Sequence, residues 1–203
     1  MTPHLADTPV IQTARLTLRA PRIDDYPVWE AFYASDRARF IGGPGTPRDA
    51  WRAYGHIVGM WALCGCGSFV IADASDAPRG MAGPWVPPYY REKEIGWTIW
   101  SDDAEGRGIA FEAATAARRF AYAELGWTTA VSYIDDGNDR SVALADRLGA
   151  RRDDSAWTPK DDARTYRHPR PEVVLSDPAN PPTEYRRNTD VIPTSQKGPS
   201  DAR

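Results

Sequence analysis

Read for the spacing of its apolar positions, the chain divides into short strands and amphipathic helices. Residues 15–20 (R-L-T-L-R-A) alternate, with Leu16 and Leu18 on one face and Thr17 and Arg19 on the other, as a half-buried strand does. Asp24 and Asp25 suit the first turn of a helix that carries Val28, Phe32 and Tyr33. G-G-P-G at 42–45 breaks the chain. Thr46 then fits an N-cap, Pro47 a first helical position and Asp49 an acidic third residue. They open a predicted helix over 47–63 with Trp51, Tyr54, Val58 and Trp61 near helical spacing. Strands are predicted at 67–73, 80–86 and 93–100, and a helix over 108–125 places Ile109, Ala113, Ala116 and Phe120 on one face, with Gly126 to stop it. A β-branched strand over 128–134, a helix over 138–148 and two short strands near 150–153 and 163–167 complete the pattern.

The order β-α-α-β-β-β-α-β-α-β-β predicts one mixed α+β domain over residues 1–168, its sheet of about seven strands flanked by about four helices. The middle strands should pair antiparallel, and the strand–helix–strand unit at 93–134 should form a parallel pair through a right-handed crossover. Residues 169–203 are rich in Pro, Asp, Asn and Arg with one aromatic, Tyr185, and are expected to form a flexible tail.

Composition narrows the class. With 203 residues, 41% hydrophobic and 26% charged, the chain reads as a soluble globular protein. A formal net charge of −3 provides no basic footprint for nucleic acid. No apolar run is long enough to span a membrane, and the N-terminus lacks the form of a secretory signal, so a cytoplasmic location is the default expectation. Cys64 and Cys66 are too close for a disulfide framework and have no partners for a zinc site, so no metal is expected. His4, His56 and His168 have no partner at legible spacing and are read as surface or helix-face residues.

The candidate chemistry lies at 94–113, E-I-G-W-T-I-W-S-D-D-A-E-G-R-G-I-A-F-E-A. An apolar strand passes through a short acidic turn into a helix whose start is marked by Gly106 and Gly108. Glycine lets the backbone approach a ligand, and a helix N-terminus presents unpaired N–H groups with the positive end of its dipole, so the turn can seat an anion such as a pyrophosphate. The spacing is neither G-x-x-x-x-G-K-[ST] nor G-x-G-x-x-G, and a strand-to-helix turn without a ligand is the plain alternative. P-W-V-P-P-Y-Y at 84–90 puts Trp85, Tyr89 and Tyr90 in a loop, a place for substrate-binding residues.

Four stretches together resemble the GNAT N-acetyltransferases, and among them the branch that acetylates ribosomal-protein N-termini: T-A-R-L-T-L-R-A-P at 13–21, E-I-G-W-T-I-W at 94–100, E-G-R-G-I-A at 105–110 and N-D-R-S-V-A-L-A-D-R-L-G-A at 138–150, with Y-R-H-P at 166–169 similar to the closing strand. The resemblance covers roughly residues 11–169. It implies a mostly antiparallel twisted sheet whose fourth and fifth strands are parallel and splayed to admit acetyl-CoA. It implies that Gly106 and the main-chain amides of Arg107, Gly108, Ile109, Ala110 and Phe111 hold the pyrophosphate. It further implies that main-chain groups of Ile99 and Trp100 pair with the pantetheine arm, that Asn138 bonds the same arm, and that Ser141 lies near the thioester sulfur. The loop departs from the family form [QR]-x-x-G-x-[GA] in starting with Glu105, a carboxylate that must turn away or pair, for instance with Arg107. The family's general-acid tyrosine, seven residues after the Asn, is Ala145 here.

The reaction implied is direct attack of a primary amine on acetyl-CoA. Strand alternation places Glu94, Gly96, Thr98 and Trp100 on one face, so Glu94 shares a face with the strand's end, and the resemblance implies that it, directly or through an ordered water, takes the amine's proton. Its plain alternative is an ion pair with Arg91 or Lys93. A main-chain N–H near Trp100 is the natural donor to the oxyanion. Ser141 and water are the candidate donors to the leaving thiolate, and the plain alternative for Ser141 is an ordinary first-turn serine. The acceptor expected is a protein N-terminus or an amine-bearing small molecule, and a homodimer is left open. Glu105 and Ala145 keep one alternative in view, a CoA-binding but non-catalytic module of regulatory or interaction type.

Overall fold

The structure, a computed structural model, describes Leu5, residues 7–178 and residues 184–187. Strands β1 (Pro9–Gln12) and β2 (Thr17–Arg19) form a hairpin, followed by helices α1 (Tyr26–Tyr33) and α2 (Pro47–Cys64). Strands β3 (Phe69–Ala72), β4 (Pro78–Trp85) and β5 (Glu94–Ile99) make an antiparallel meander. Helix α3 (Ile109–Ala123) crosses to β6 (Val131–Asp135), and α4 (Asp139–Arg147), β7 (Arg151–Arg152) and β8 (Ala163–Arg167) follow. Helix α5 (Pro171–Ser176) and β9 (Glu184–Arg187) end the described chain. The sheet runs β7-β8-β6-β5-β4-β3-β2-β1-β9, and β5–β6 is its parallel pair.

The alternation of each strand divides its side chains between two layers. Phe69, Ile71 and Ala82 join Leu16, Leu18, Ala113, Ala117 and Phe120 under α3. Val70, Met81 and Trp100 turn to the other face, against Trp29, Phe32, Tyr54 and Ile57 of α1 and α2. Helix α2 starts where its residues predict: Thr46 Oγ1 accepts from the Asp49 N–H at 3.3 Å, an Asp49 carboxylate oxygen accepts from the Thr46 N–H at 3.2 Å, and Pro47 occupies the first turn.

The sheet has nine strands, against about seven expected. The two additions are β1, which pairs Ile11 with Leu18, and β9, which pairs Tyr185 with Ile11. Both lie at the chain's ends, where P-V-I-Q and E-Y-R-R are too short to show a period. Part of the segment read as a flexible tail is therefore packed. Val174 of α5 is buried against Tyr122 and Trp127, its carbonyl accepting from Arg119 Nη1 at 2.6 Å, and the Tyr185 ring meets Phe120. The rest of that segment, 179–183 and 188–203, lies outside the described residues. Among the described residues no helix is long and apolar enough to cross a membrane.

Candidate active site

Strand β5 carries the site because its two neighbours treat it differently. Toward β4 it is paired along its length, from Trp85↔Glu94 to Gly80↔Ile99. Toward β6 it is paired at Glu94↔Val131, where the Val131 N–H donates to the Lys93 carbonyl at 3.0 Å. Two residues past Lys93 the Ile95 carbonyl accepts from the Ser132 hydroxyl at 2.6 Å rather than from a main-chain N–H, and the ladder ends. The strands then splay, leaving a cavity of about 430 Å³.

Glu94 sits at the vertex of this splay and lines the cavity. Its Oε1 accepts a long hydrogen bond from the Tyr133 N–H, 3.4 Å. Burial pushes the carboxyl up to about 8; the Tyr133 N–H opposes the shift and the charge of Asp135 adds to it. Among the described residues no cation pairs with it: Arg91 lies over the Trp157 ring and Lys93 over Trp127.

Asn138 and Ser141 reach the same cavity from the start of α4. Asn138 is the N-cap, its Oδ1 accepting from the Ser141 N–H at 3.3 Å, which leaves its NH2 group available. Ser141 Oγ accepts from the Trp97 indole N–H at 3.2 Å, so the hydroxyl proton remains free to be donated. Ala145 is wholly buried beside Ile134 and Tyr166 and has no part in the cavity.

The anticipated main-chain contacts divide by parity. The Trp100 N–H donates to the Arg79 carbonyl at 2.9 Å and is therefore spent on the β4 side. Antiparallel pairing alternates along a strand, so Ile99 and Trp97 are the residues whose main-chain groups face the splay. This corrects the expectation for Trp100 as an arm-binding or oxyanion-binding N–H; its side chain instead packs on Trp29 and Phe32.

At the far end of the splay, Gly106 and Gly108 adopt φ of 67° and 76°, the left-handed region that a Cβ disfavours. Gly108 caps α3 without a side chain, and the first helical N–H groups, those of Ile109, Ala110 and Phe111, point out of the helix end. Glu112 in that first turn is held away by Thr13 at 2.6 Å and Arg15 at 2.7 Å. Glu105 is paired, though not with Arg107. Its carboxylate bridges Arg37 at 2.5 Å and Arg140 at 2.6 Å, while Arg37 also reaches Asp102 and the Ile99 carbonyl. Arg37 comes from the turn after α1 and Arg140 from α4, so Glu105 ties the two lips of the splay together. No motif spacing connects these three residues, which is why the sequence pointed instead to the near neighbour Arg107.

Two further expectations meet the structure differently. Trp85 and Tyr90 line the cavity, whereas Tyr89 is 66% exposed. His168 is buried, not superficial: Nδ1 lies 3.1 Å from Arg118 Nη1 and Nε2 lies 2.9 Å from Ser132 Oγ. Arginine can only donate, so Nδ1 accepts, Nε2 donates to Ser132 and Ser132 donates to Ile95. Burial, aided by Arg118, lowers the His168 pKa to about 3. The chain is fully committed, and Ser132 is a buttress of the strand junction rather than a nucleophile. Among the described residues no cluster of His, Cys, Asp or Glu is placed to hold a metal ion.

Comparison with solved structures gives the same fold. An acetyltransferase from Agrobacterium tumefaciens is 33% identical, the alignment covering 83% of this chain and 98% of that one with a TM-score of 0.76. RimL, a ribosomal L7/L12 alpha-N-protein acetyltransferase solved with coenzyme A, is 15% identical, covering 80% and 98% at a TM-score of 0.64. A spermidine N-acetyltransferase from Vibrio cholerae, in complex with CoA and spermine, is 14% identical, covering 87% and 98% at 0.59. Searching curated proteins yields no match. The acetyltransferase (GNAT) domain pattern matches residues 15–151, and the chain belongs to the GNAT acetyltransferase family.

Proposed function

We propose that this protein transfers an acetyl group from acetyl-CoA to a primary amine, with Glu94 as the base and Ser141 as the proton donor to the leaving sulfur. The observation that carries this reading is the meeting, in one cavity at the β5–β6 junction, of a carboxyl with a raised pKa, a hydroxyl whose proton is unclaimed and an asparagine NH2 group. Acetyl-CoA fits the residues present. The α3 N-terminus, with Gly106, Arg107, Gly108, Ile109, Ala110 and Phe111, would hold the pyrophosphate. The edge of β5 at Trp97 and the Ile99 N–H, the Ile99 carbonyl being held by Arg37, would pair with the amide-bearing arm, and Asn138 would bond it from α4. The thioester supplies an activated acetyl group. Glu94 takes the amine's proton, a task suited to a pKa of about 8 near neutral pH. Ser141, oriented by Trp97, donates a proton as sulfur departs. RimL and the spermidine enzyme act, by their names, on a protein α-amine and on a polyamine.

Calorimetric titration with acetyl-CoA, followed by thiol release against peptides and small amines, tests the reading. Binding with amine-dependent release supports it. Binding without release from any amine would favour the non-catalytic alternative, and no binding would sink both.

The Glu105 bridge makes its own prediction. Glu105 holds Arg37 and Arg140, and a pyrophosphate bound at the α3 N-terminus would compete with it for them. Glu105→Gln is expected to tighten acetyl-CoA binding about three- to tenfold, and Arg140→Ala to weaken it by a similar factor. Weaker binding in Glu105→Gln would mean that the carboxylate serves to hold the arginines in place.

A further inference from the structure

The acceptor side of the cavity is walled by rings from six parts of the fold: Trp29 (α1), His56 (α2), Trp85 (β4), Tyr90 (the loop before β5), Tyr133 (β6) and Phe40 (the turn after α1). Trp85 is the cross-strand partner of Glu94, and the His56 ring lies 4.8 Å from it. Edge-to-face contacts at 5.3 Å between Tyr90 and Tyr133, and at 5.7 Å and 5.5 Å from these rings to Trp157, brace that wall.

The charges are few. Among the described residues the lining offers Glu94, Asp135, Lys160 and His56 besides the two tyrosines. Asp135 is spent on Lys160 at 2.6 Å. One carboxyl therefore remains for an incoming ammonium. No second free carboxylate awaits another cation, and no unpaired lysine or arginine lines the wall to receive a substrate carboxylate. A polyamine would bring a second ammonium that loses its hydration with no carboxylate to pair it, and a free amino acid would bring a carboxylate to a wall with no unpaired cation.

We infer that the acceptor is a primary monoamine borne on an aromatic or bulky apolar body, with no carboxylate beside the amine. This rests on the acetyltransferase reading for its chemistry but on the pocket wall for its selectivity. Ring faces attract the ammonium and pack the body, and an ammonium beside Glu94 favours loss of its proton, so that Glu94 takes the one charge. A free arylalkylamine and a protein N-terminus starting with an aromatic residue share this chemistry.

The test is calorimetry with 2-phenylethylamine, phenylalaninamide, phenylalanine and spermidine, with coenzyme A present and absent, alongside thiol release from acetyl-CoA. The first two should bind at least about tenfold more tightly than the last two. Equal or tighter binding of spermidine or phenylalanine, or failure of every amine to bind, would overturn the assignment. A short peptide beginning with Phe, compared with phenylalaninamide, separates the two sources. Trp85→Leu keeps an apolar side chain and should cost 2-phenylethylamine about tenfold while leaving coenzyme A binding unchanged. Ile41→Glu adds a carboxylate at a 38% exposed position of the rim and should bring spermidine to within about threefold of 2-phenylethylamine. Unchanged ranking in both variants would also count against it. A protein that ranks the amines as stated but releases no thiol keeps the pocket assignment and loses the acetyltransferase reading. One that acetylates spermidine best keeps the enzyme and loses the assignment.

Discussion

Glu94→Gln is expected to lower kcat/KM by about a hundredfold or more, within the range that a positioned general base contributes. Acetyl-CoA affinity should change by less than about twofold, because the carboxyl sits at the strand junction, away from the α3 N-terminus that would hold the pyrophosphate. The pH profile separates loss of a base from mere distortion. In the parent protein kcat/KM should rise with pH until Glu94 has lost its proton near 8, and the glutamine variant should lose that ionisation. An acceptor with a well-displaced amine pKa keeps the two ionisations apart. A drop below about tenfold with the ionisation still in place would remove Glu94 from the base role. Stability gives a second reading with the opposite sign. The folded carboxyl keeps its proton up to about pH 8, whereas an unfolded glutamate loses it near about 4.3. Between these values the folded chain binds the extra proton, so stability falls as pH rises. Glutamine carries no such cost, and the variant should have the higher Tm at pH 9 with little difference at pH 5. Lower activity together with higher alkaline stability is the signature of a carboxyl strained for function.

How much of this was legible depends on the range of the interactions. Residues 93–100, 105–110 and 138–148 carry local signals: alternation, a pair of glycines before a helix and helical spacing of apolar residues. The structure forms β5, the capped start of α3 and α4 at those places. The parallel β5–β6 pair followed from the strand–helix–strand order. What period and motif cannot encode is which long-range partner a side chain finds. Glu105 meets Arg37 and Arg140 across the splay, and His168 meets Ser132 and Arg118 in the core. Trp100 shows a subtler limit. Alternation put its side chain on the correct face, but the direction of its N–H follows from the β4 register, which no single strand reveals. The chain ends were missed because a strand as short as β1 has no period until its hairpin partner is known.

The second large effect is on stability. Asp25→Ala is expected to cost about 3–5 kcal/mol, the usual penalty for removing one partner of a buried ion pair. The side chains of Arg19 and Asp25 are 5% and 2% exposed and pair fork to fork, both contacts at 2.8 Å. The Asp25 carboxylate also accepts from the Arg22 N–H at 2.8 Å. Arg19 retains Asp76 at 2.7 Å, but that carboxylate is half exposed and satisfies Nε alone. For a chain of this size the loss corresponds to a fall in Tm of roughly 6–20 °C. Arg19→Met with Asp25→Leu should recover much of it, since no buried charge is then left unpaired. The double-mutant cycle separates the pair from its surroundings. A single-variant cost below about 1 kcal/mol would mean that water or Asp76 replaces the lost partner. The consequence for function runs through α1, which begins immediately after Asp25 and brings Trp29 onto the Trp100 ring at 5.5 Å. Loosening that start moves the acceptor wall while leaving the β5–β6 splay in place. The folded fraction of Asp25→Ala should therefore show a raised KM for the amine and an unchanged affinity for acetyl-CoA.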